Sequence, residues 1–174
     1  MGDQKALEVY KKLLEKTKAE TEKITIDKIV YYSSWIDQND LWSTNNFDKQ
    51  LQTGGSLGSR MSNAIKTSFE QYNKVMIIGS DCYDLSKEHM LRALAKLDDP
   101  SISVVIGPAN DGGYYLLAMN TFIPALFEDK SWSQSSLMTE TIETIEGLGL
   151  NYFLLEELID IDTEGDLISC GLDF

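Results

Sequence analysis

The sequence is poor in residues that cross-link small secreted domains, and it lacks long apolar runs. Its 174 residues include two cysteines, Cys82 and Cys170, three prolines and one histidine. Two cysteines cannot build a disulfide framework, and they do not show the Cys-x-x-Cys spacing of a zinc site. No segment holds the roughly 18 consecutive apolar residues of a membrane span, and no apolar run follows the first residues as in a secretory signal. These absences predict a soluble, cytoplasmic protein without a membrane span.

Positive charge is also scarce. Fifteen lysines and arginines stand against 28 aspartates and glutamates, which gives a formal net charge of −13. Such a chain repels nucleic acid unless a basic patch offsets the repulsion, and the sequence shows none, so nucleic acid is not an expected partner. The length and the 43% hydrophobic content are those of one globular domain, predicted to span residues 1–174.

Hydrophobic periodicity alternates between helical and extended segments along the chain. The polar segment 36–56 predicts a long loop. Because strands alternate with helices, and Val75–Ile78 is apolar at every position, we expect an α/β fold with a mostly parallel sheet. The predicted strands are 24–33, 75–78, 102–106, 114–119 and 152–155; the predicted helices run up to Glu22, over 57–72, from Ser86 to Leu97, over 121–128, over 134–148, and from Asp162.

Two carboxylates follow the apolar strand 75–78. Asp81 and Asp84 lie three positions apart where the strand ends, which is the side of an open α/β sheet where ligands bind. Paired carboxylates suit Mg²⁺ or Mn²⁺ bound to a substrate phosphate. The same residues are also consistent with a turn shaped by Asp81 and a helix capped by Asp84.

A glycine-rich segment, Gln52–Arg60, runs directly into a predicted helix. Glycines there let backbone N–H groups approach an anion or a carbonyl oxygen, and the arginine offers a clamp for phosphate or carboxylate. The segment does not follow the Walker pattern, and a flexible loop before a capped helix explains the glycines equally well.

Two more clusters combine turn residues with functional groups. Asp111-Gly112-Gly113 is typical of a hairpin turn, although the adjacent Tyr114 and the aspartate are also suited to receiving an acceptor hydroxyl. Asp162 is a fair helix N-cap and, alternatively, a second metal ligand. His89 has no ligand cluster around it and is predicted to lie on the surface, and Cys82 has no basic partner that would make it a nucleophile.

In this order, the motifs resemble those of one family. The segments Q-T-G-G-S-L-G-S-R-M, I-I-G-S-D-C-Y-D-L, V-I-G-P-A-N-D-G-G-Y-Y-L-L-A, S-W-S and D-I-D-T-E-G-D-L are similar to those of radical-SAM/selenodomain-associated transferases. These are glycosyltransferase-type-A-like members of the nucleotide-diphospho-sugar transferase superfamily. The resemblance implies a three-layer α/β sandwich and transfer of a sugar from a nucleotide-activated small molecule. It leaves open transfer of a nucleotidyl group to a phosphorylated acceptor, and a catalytically impaired binding domain.

The resemblance also implies roles for individual residues. Asp81 and Asp162 would hold Mg²⁺ or Mn²⁺, and Asp81 and Asp111 would be the catalytic residues. Nucleotide-binding residues would be Gln52, Gly54, Gly55, Leu57, Gly58 and Arg60, and acceptor-binding residues Gly112, Gly113, Tyr114 and Trp132.

The chain departs from this family at its start. Family members begin with an apolar strand and a Lys/Arg-containing loop that binds the nucleotide phosphates, whereas Met1 to Ala6 contains neither. We therefore expect a chain that is N-terminally truncated relative to the family. Loss of a middle strand would expose backbone groups and apolar surface, which gives the chain a reason to form a homo-oligomer.

Overall fold

The computed structural model describes residues 2–172, which form two β-sheets and the helices that cover them. The helices are α1 (Asp3–Thr21), α2 (Leu57–Ser68), α3 (Lys87–Lys96), α4 (Leu137–Gly147) and α5 (Glu164–Ser169), with a short 3₁₀ turn at Pro124–Leu126. The strands are β1 (Ile29–Tyr32), β2 (Asp48–Leu51), β3 (Val75–Ile78), β4 (Val104–Pro108), β5 (Tyr114–Met119) and β6 (Tyr152–Leu154).

The larger sheet has four strands in the order β3-β5-β4-β6. β5 is antiparallel to both of its neighbours, and β4 is parallel to β6, so β3, β4 and β6 share one direction. A separate pair is formed by β1 and β2, which are parallel, with Ile29 opposite Asp48. The α/β class is therefore confirmed, and the larger sheet is mixed and not mostly parallel in its pairings, because β5 lies between β3 and β4 and runs opposite to both.

Helices cover both faces of the four-stranded sheet. Because side chains alternate along a strand, Val105 of β4 faces a core that includes α3, whereas Val104 and Ile106 face a core that includes α2 and α4. All three valine and isoleucine side chains are fully buried. The result is a three-layer arrangement in which the sheet is the middle layer. A smaller cluster joins α1 to α5 through Val9, Leu13, Ile161 and Leu167.

The segment predicted as one long loop contains a strand. β2 is polar in sequence, Asp-Lys-Gln-Leu, so it carries no apolar pattern. Lys49 is 3% exposed, and its ammonium group lies 2.7 Å from the Asp40 carboxylate and 2.6 Å from the Asp37 carbonyl oxygen. A partly buried ion pair thus replaces the apolar contact that usually marks a strand. Two other predictions were too long: the first strand covers only residues 29–32, and the helix predicted over 121–128 is the short 3₁₀ turn.

None of the helices within residues 2–172 combines the length and the apolar character needed to cross a bilayer.

Candidate functional site

The carboxyl ends of three strands meet at one edge of the larger sheet. Since β3, β4 and β6 share a direction, the chain leaves each of them on the same side. In open α/β sheets this side is where ligands bind. β5 runs the other way, so its first residue, Tyr114, also lies at this edge.

Backbone hydrogen bonds join the segment after β6 to the loops that follow β3 and β4. The N–H of Asn110 donates to the carbonyl oxygen of Leu158 at 3.0 Å. Further along, the N–H of Ile161 donates to the carbonyl oxygen of Asp81 at 3.0 Å. Asp160 forms an antiparallel bridge with the residue that follows Asp81. The Asp-Ile-Asp segment is therefore attached to the end of β3.

Four carboxylates at this edge repel one another. Burial first, and then the charges of Asp81, Asp111 and Asp162, raise the pKa of Asp160 to about 7. The pKa of Asp81 is raised as well. The main cause is that the surrounding protein removes water from part of its carboxylate, and the negative charges of Asp162 and Asp111 add to this effect. Asp81 and Asp162 are nevertheless exposed to solvent, so a ligand can reach both. The structure thus brings together the two aspartates predicted as a metal pair.

The position of Asp81 depends on Gly79. The N–H of Gly79 donates to the Tyr115 carbonyl oxygen at 3.0 Å and continues the ladder between β3 and β5. A Cβ atom at this glycine would lie 2.5 Å from Oδ1 of Asp81. The glycine therefore allows the Asp81 carboxylate to fold back over the end of the strand.

A divalent cation at the carboxylate edge would have to be shared with another ligand, such as a phosphate. Oδ1 of Asp160 is buried and accepts no hydrogen bond from any described residue, so positive charge nearby would compensate it. Within residues 2–172, no three histidine, cysteine, aspartate or glutamate side chains are arranged to enclose a metal ion. Mg²⁺ typically uses one or two carboxylates and takes its other ligands from phosphates and water. Asp81 and Asp162 provide that kind of pair.

The predicted nucleotide segment is an ordered loop before α2. Ser56 is the N-cap of α2, and Ser56 and Ser59 form a reciprocal capping box. Gly54 has a φ of +124°, a conformation that favours glycine. The Arg60 guanidinium turns back on the loop, with Nε 3.2 Å from the Gly54 carbonyl oxygen and Nη1 3.3 Å from Oε1 of Gln52. Gly55 and Leu57 are exposed, and Leu57 is the first residue of α2.

The turn between β4 and β5 is the hairpin that the sequence predicted. Oδ1 of the exposed Asp111 accepts a hydrogen bond from the Gly113 N–H at 2.8 Å. Gly112 has a φ of +90°, and a Cβ atom there would lie 2.3 Å from the carbonyl oxygen of Ser135. The hydroxyl of Tyr114 is buried and has no partner among the described residues, and burial raises the pKa of Tyr114. Asp111 thus presents a carboxylate to solvent, whereas the Tyr114 hydroxyl points into the protein.

Trp132 connects the two glycine-containing segments. A Cβ atom at Gly58 would lie 2.4 Å from the indole Nε1 of Trp132, so the ring packs directly on the start of α2. After the segment that contains Trp132, the N–H of Met138 in α4 donates to the Gly112 carbonyl oxygen at 2.9 Å. The segment around Trp132 therefore spans from the predicted nucleotide loop to the predicted acceptor hairpin. Asp129 and Ser133, which flank it, both have positive φ values, of 51° and 60°.

Substituting Gly58 with alanine is expected to displace Trp132. The added methyl group would also lie 2.7 Å from the carbonyl oxygen of Phe127, a backbone atom that cannot rotate away. Overpacking of this kind costs about 1–3 kcal/mol, so we expect that loss in the free energy of unfolding measured with urea. Tryptophan fluorescence, with Trp35 and Trp42 replaced by phenylalanine, should report a more exposed indole.

Gly55 provides the matched control for this substitution. A Cβ atom at Gly55 meets no atom within 4 Å, and its φ is not in the left-handed region. Gly55→Ala is therefore expected to leave stability and fluorescence unchanged. A Gly58→Ala protein with the stability and emission of the parent would show that Trp132 does not pack on α2.

Cys82 and His89, for which no functional role is predicted, contribute to the structure. Cys82 is buried, and burial raises the pKa of its thiol to about 12, so the thiol stays protonated. His89 is not a surface residue as predicted. Its side chain is 14% exposed, Nδ1 accepts a hydrogen bond from the Ser86 N–H at 3.1 Å, and Nε2 lies 3.2 Å from Glu156. His89 therefore joins the start of α3 to the segment after β6.

Sequence reasoning did not assign a role to Asp160. It precedes Asp162 by two positions, and the signal that could have identified it is this Asp-Ile-Asp spacing, because alternate residues of an extended segment share a face. The buried Ile161 lies between them and packs against α1 and α5.

A cavity of about 400 Å³ lies elsewhere, at the amino ends of β1 and β2. Its lining comes from residues 24–28 and 44–48. None of the predicted site residues lines it.

The fold is that of nucleotide-diphospho-sugar transferase-like α/β proteins. The structure is similar to that of a protein from Desulfovibrio desulfuricans G20 that is provisionally described as a nucleotide-diphospho-sugar transferase, with a TM-score of 0.86 and 28% identity over 96% of this chain and 74% of that one. Residues 16–134 match the family described as "Uncharacterized protein conserved in bacteria (DUF2064)", and the chain belongs to this family.

More distant structures share the fold. One is the 4-diphosphocytidyl-2C-methyl-D-erythritol synthase of Anaerococcus prevotii DSM 20548, with a TM-score of 0.62 and 15% identity over 90% of this chain and 83% of that one. Another is CMP:2-keto-3-deoxy-manno-octonic acid synthetase complexed with CTP, with a TM-score of 0.58 and 10% identity over 91% and 85%. A comparison with curated proteins finds no significant match.

Proposed function

We propose that this protein is a metal-dependent transferase that uses a nucleotide-activated donor, with glycosyl transfer as its reaction. The observation that carries the proposal is the convergence of Asp81 and Asp162, from the end of β3 and from the segment after β6, on one exposed edge. The structural similarity to a protein described as a nucleotide-diphospho-sugar transferase supports it. By its five motifs we also group the chain with the radical-SAM/selenodomain-associated transferases. A cytoplasmic location stays a prediction.

In this proposal, Asp81 and Asp162 hold Mg²⁺ or Mn²⁺, which would offset the negative charge of the donor phosphates. Positive charge is needed because the chain carries a net charge of −13. The loop of Gln52–Arg60 holds the nucleoside, and its backbone N–H groups donate to it. Trp132 fixes the distance between this loop and the acceptor hairpin through its contact with Gly58.

Asp111 acts on the acceptor. Its carboxylate is exposed, and one of its oxygens is already positioned by the Gly113 N–H, so the other can accept the proton of an acceptor hydroxyl. The hydroxyl oxygen then forms a bond to the anomeric carbon of the sugar as the bond from that carbon to the phosphate oxygen breaks. The nucleoside diphosphate leaves, and the proton stays on Asp111. Gly112, Gly113 and Tyr114 shape the pocket in which the acceptor lies.

The test is isothermal titration of nucleoside diphosphate sugars and nucleoside triphosphates with Mn²⁺ and with EDTA. Binding of either class that requires Mn²⁺ supports the proposal, and no binding by the folded protein contradicts it and favours an impaired domain.

Nucleotidyl transfer is the second candidate, because the same carboxylates and loop would also hold a triphosphate. Release of pyrophosphate on incubation with phosphorylated acceptors would identify it, whereas glycosyl transfer releases a nucleoside diphosphate.

A further inference from the structure

Tyr115 is the extra residue of a β-bulge between β5 and β4. Leu116 lies opposite Gly107, and Tyr114 lies opposite the next residue of β4, Pro108, so Tyr115 falls between two pairs. The alternation of the two sheet faces is interrupted here, because Tyr115 and Leu116 both contribute to the core that includes α3. A bulge of this kind redirects the side chain of its extra residue.

The side chain of Tyr115 crosses β4 and reaches the chain that follows β6. A Cβ atom at Gly107 would lie 2.3 Å from Cζ of Tyr115, so the ring lies directly on this glycine. The tyrosine is fully buried, and its hydroxyl donates to the carbonyl oxygen of Glu156 at 3.1 Å. Because β4 lies between β5 and β6, Tyr115 connects its own strand to a segment that is not its neighbour in the sheet.

The pairing between β4 and the chain that follows β6 shifts by one residue at this contact. Ile106 is paired with Leu154, and Ala109 is paired with Leu158. Two residues lie between the first two positions, whereas three lie between their partners. The additional residue therefore lies in the segment that contains Glu156, and it forms a second bulge.

Pro108 explains why the pairing shifts at this point. The Leu155 N–H donates to the Ile106 carbonyl oxygen at 2.8 Å, so Ile106 directs its backbone groups toward β6. Alternate residues of a strand share this direction, and the next N–H group of β4 on this side would belong to residue 108. Proline has no N–H group. The Tyr115 hydroxyl thus provides a donor at the point where β4 cannot.

The shift determines which side chains reach the carboxylate edge. Asp160 and Asp162 alternate with Ile161, which packs against α1 and α5. A slip of one residue would bring the isoleucine to the edge in place of the aspartates, because neighbouring residues of an extended segment point to opposite faces. The hydrogen bond from the Ile161 N–H to the Asp81 carbonyl oxygen depends on the same register.

We propose that Tyr115 is a positioning residue, whose hydroxyl fixes the register of the chain after β6 and thereby places Asp162 beside Asp81. The inference rests on the proposed function, because the aspartates that Tyr115 positions are the proposed metal pair. The register itself can be measured without metal.

The first experiment measures backbone amide hydrogen exchange by NMR in Tyr115→Phe without metal. This variant removes the hydroxyl and keeps the ring on Gly107. We expect the Ile161 amide, beyond the bulge, to exchange at least about fivefold faster than in the parent, because a buried carbonyl group loses its donor. The Leu155 amide, before the bulge, should exchange as in the parent. Faster exchange of both amides would indicate a general structural role, and faster exchange of neither would indicate no role; either result overturns the inference.

The second experiment measures the affinity for Mn²⁺ alone by electron paramagnetic resonance. We expect the dissociation constant to rise about 10- to 100-fold in Tyr115→Phe, as it does when residues that orient metal ligands are removed. An unchanged constant overturns the positioning role and leaves the proposed function standing. No binding of Mn²⁺ by the parent protein overturns the metal pair of the proposed function, and this inference with it.

Tyr152→Phe is the matched control. It also removes one tyrosine hydroxyl, which lies 3.3 Å from the exposed Glu146 carboxylate. Amide exchange at Ile161 and the affinity for Mn²⁺ should both equal those of the parent, and a loss as large as that in Tyr115→Phe would overturn the assignment to Tyr115.

Discussion

Asp81→Asn is expected to abolish the effect of Mn²⁺ on nucleotide binding. The amide keeps the size of the side chain but removes the negative charge that a divalent cation requires. Isothermal titration with Mn²⁺ and with EDTA measures how much the metal increases the affinity for nucleotide. We expect this increase to fall at least about 100-fold in the variant, because a carboxylate ligand contributes several kcal/mol at such sites. Asp162→Asn should give a similar loss.

Asp84→Asn is the matched control, since Asp84 is also exposed and lies in the same loop. It should bind nucleotide and Mn²⁺ as the parent does. If Asp81→Asn retained the full Mn²⁺ effect while remaining folded, the metal would have to be bound elsewhere, and the assignment of Asp81 would be wrong.

Asp160→Asn is expected to stabilise the metal-free protein at alkaline pH. In the folded protein Asp160 loses its proton only near pH 7, because burial and three neighbouring carboxylates disfavour the charge, whereas its ordinary pKa is 3.8. The folded state therefore binds more protons than the unfolded state between these values. The parent protein loses stability as the pH rises from about 4 to about 7, and the asparagine variant does not share this loss.

Urea unfolding in EDTA at pH 5 and pH 8 measures this effect. After allowance for solvent around the site, we expect a gain of about 1–3 kcal/mol at pH 8 and a smaller one at pH 5. Asp84→Asn should show no comparable difference between the two pH values. An Asp160→Asn protein that is less stable than the parent at pH 8 would show that the carboxylate is paired and not repelled.

Helices, strands and turns were predicted correctly where the local residue pattern matches the environment that the fold gives the segment. Val75–Ile78 and Tyr114–Met119 are apolar because helices cover both faces of the sheet, and they form strands with the predicted limits. The turn between β4 and β5 follows from Asp111-Gly112, and α3 lies within the helix predicted from Ser86 to Leu97, with Ser86 as its N-cap. In each case neighbouring residues determine the structure.

The rest depended on contacts between distant segments. β2 is polar because its buried Lys49 pairs with Asp40, an interaction that no periodicity reveals. His89 is mostly buried and contacts Glu156, which is far away in sequence. The proximity of Asp81 and Asp162 was an expectation from family resemblance, and the contact that produces it is the hydrogen bond from the Ile161 N–H to Asp81. The roles of these residues in binding and catalysis remain predictions.

The hydrogen bond between Ile161 and Asp81 closes a loop of about eighty residues, and this has a consequence for how the protein folds. Closing so long a loop is entropically unfavourable and requires that β4, β5 and β6 already be in register. The carboxylate edge should therefore form late, after the sheet, and partly folded molecules should lack affinity for divalent cations. Added Mg²⁺ or Mn²⁺ would then slow unfolding without accelerating the early steps of folding.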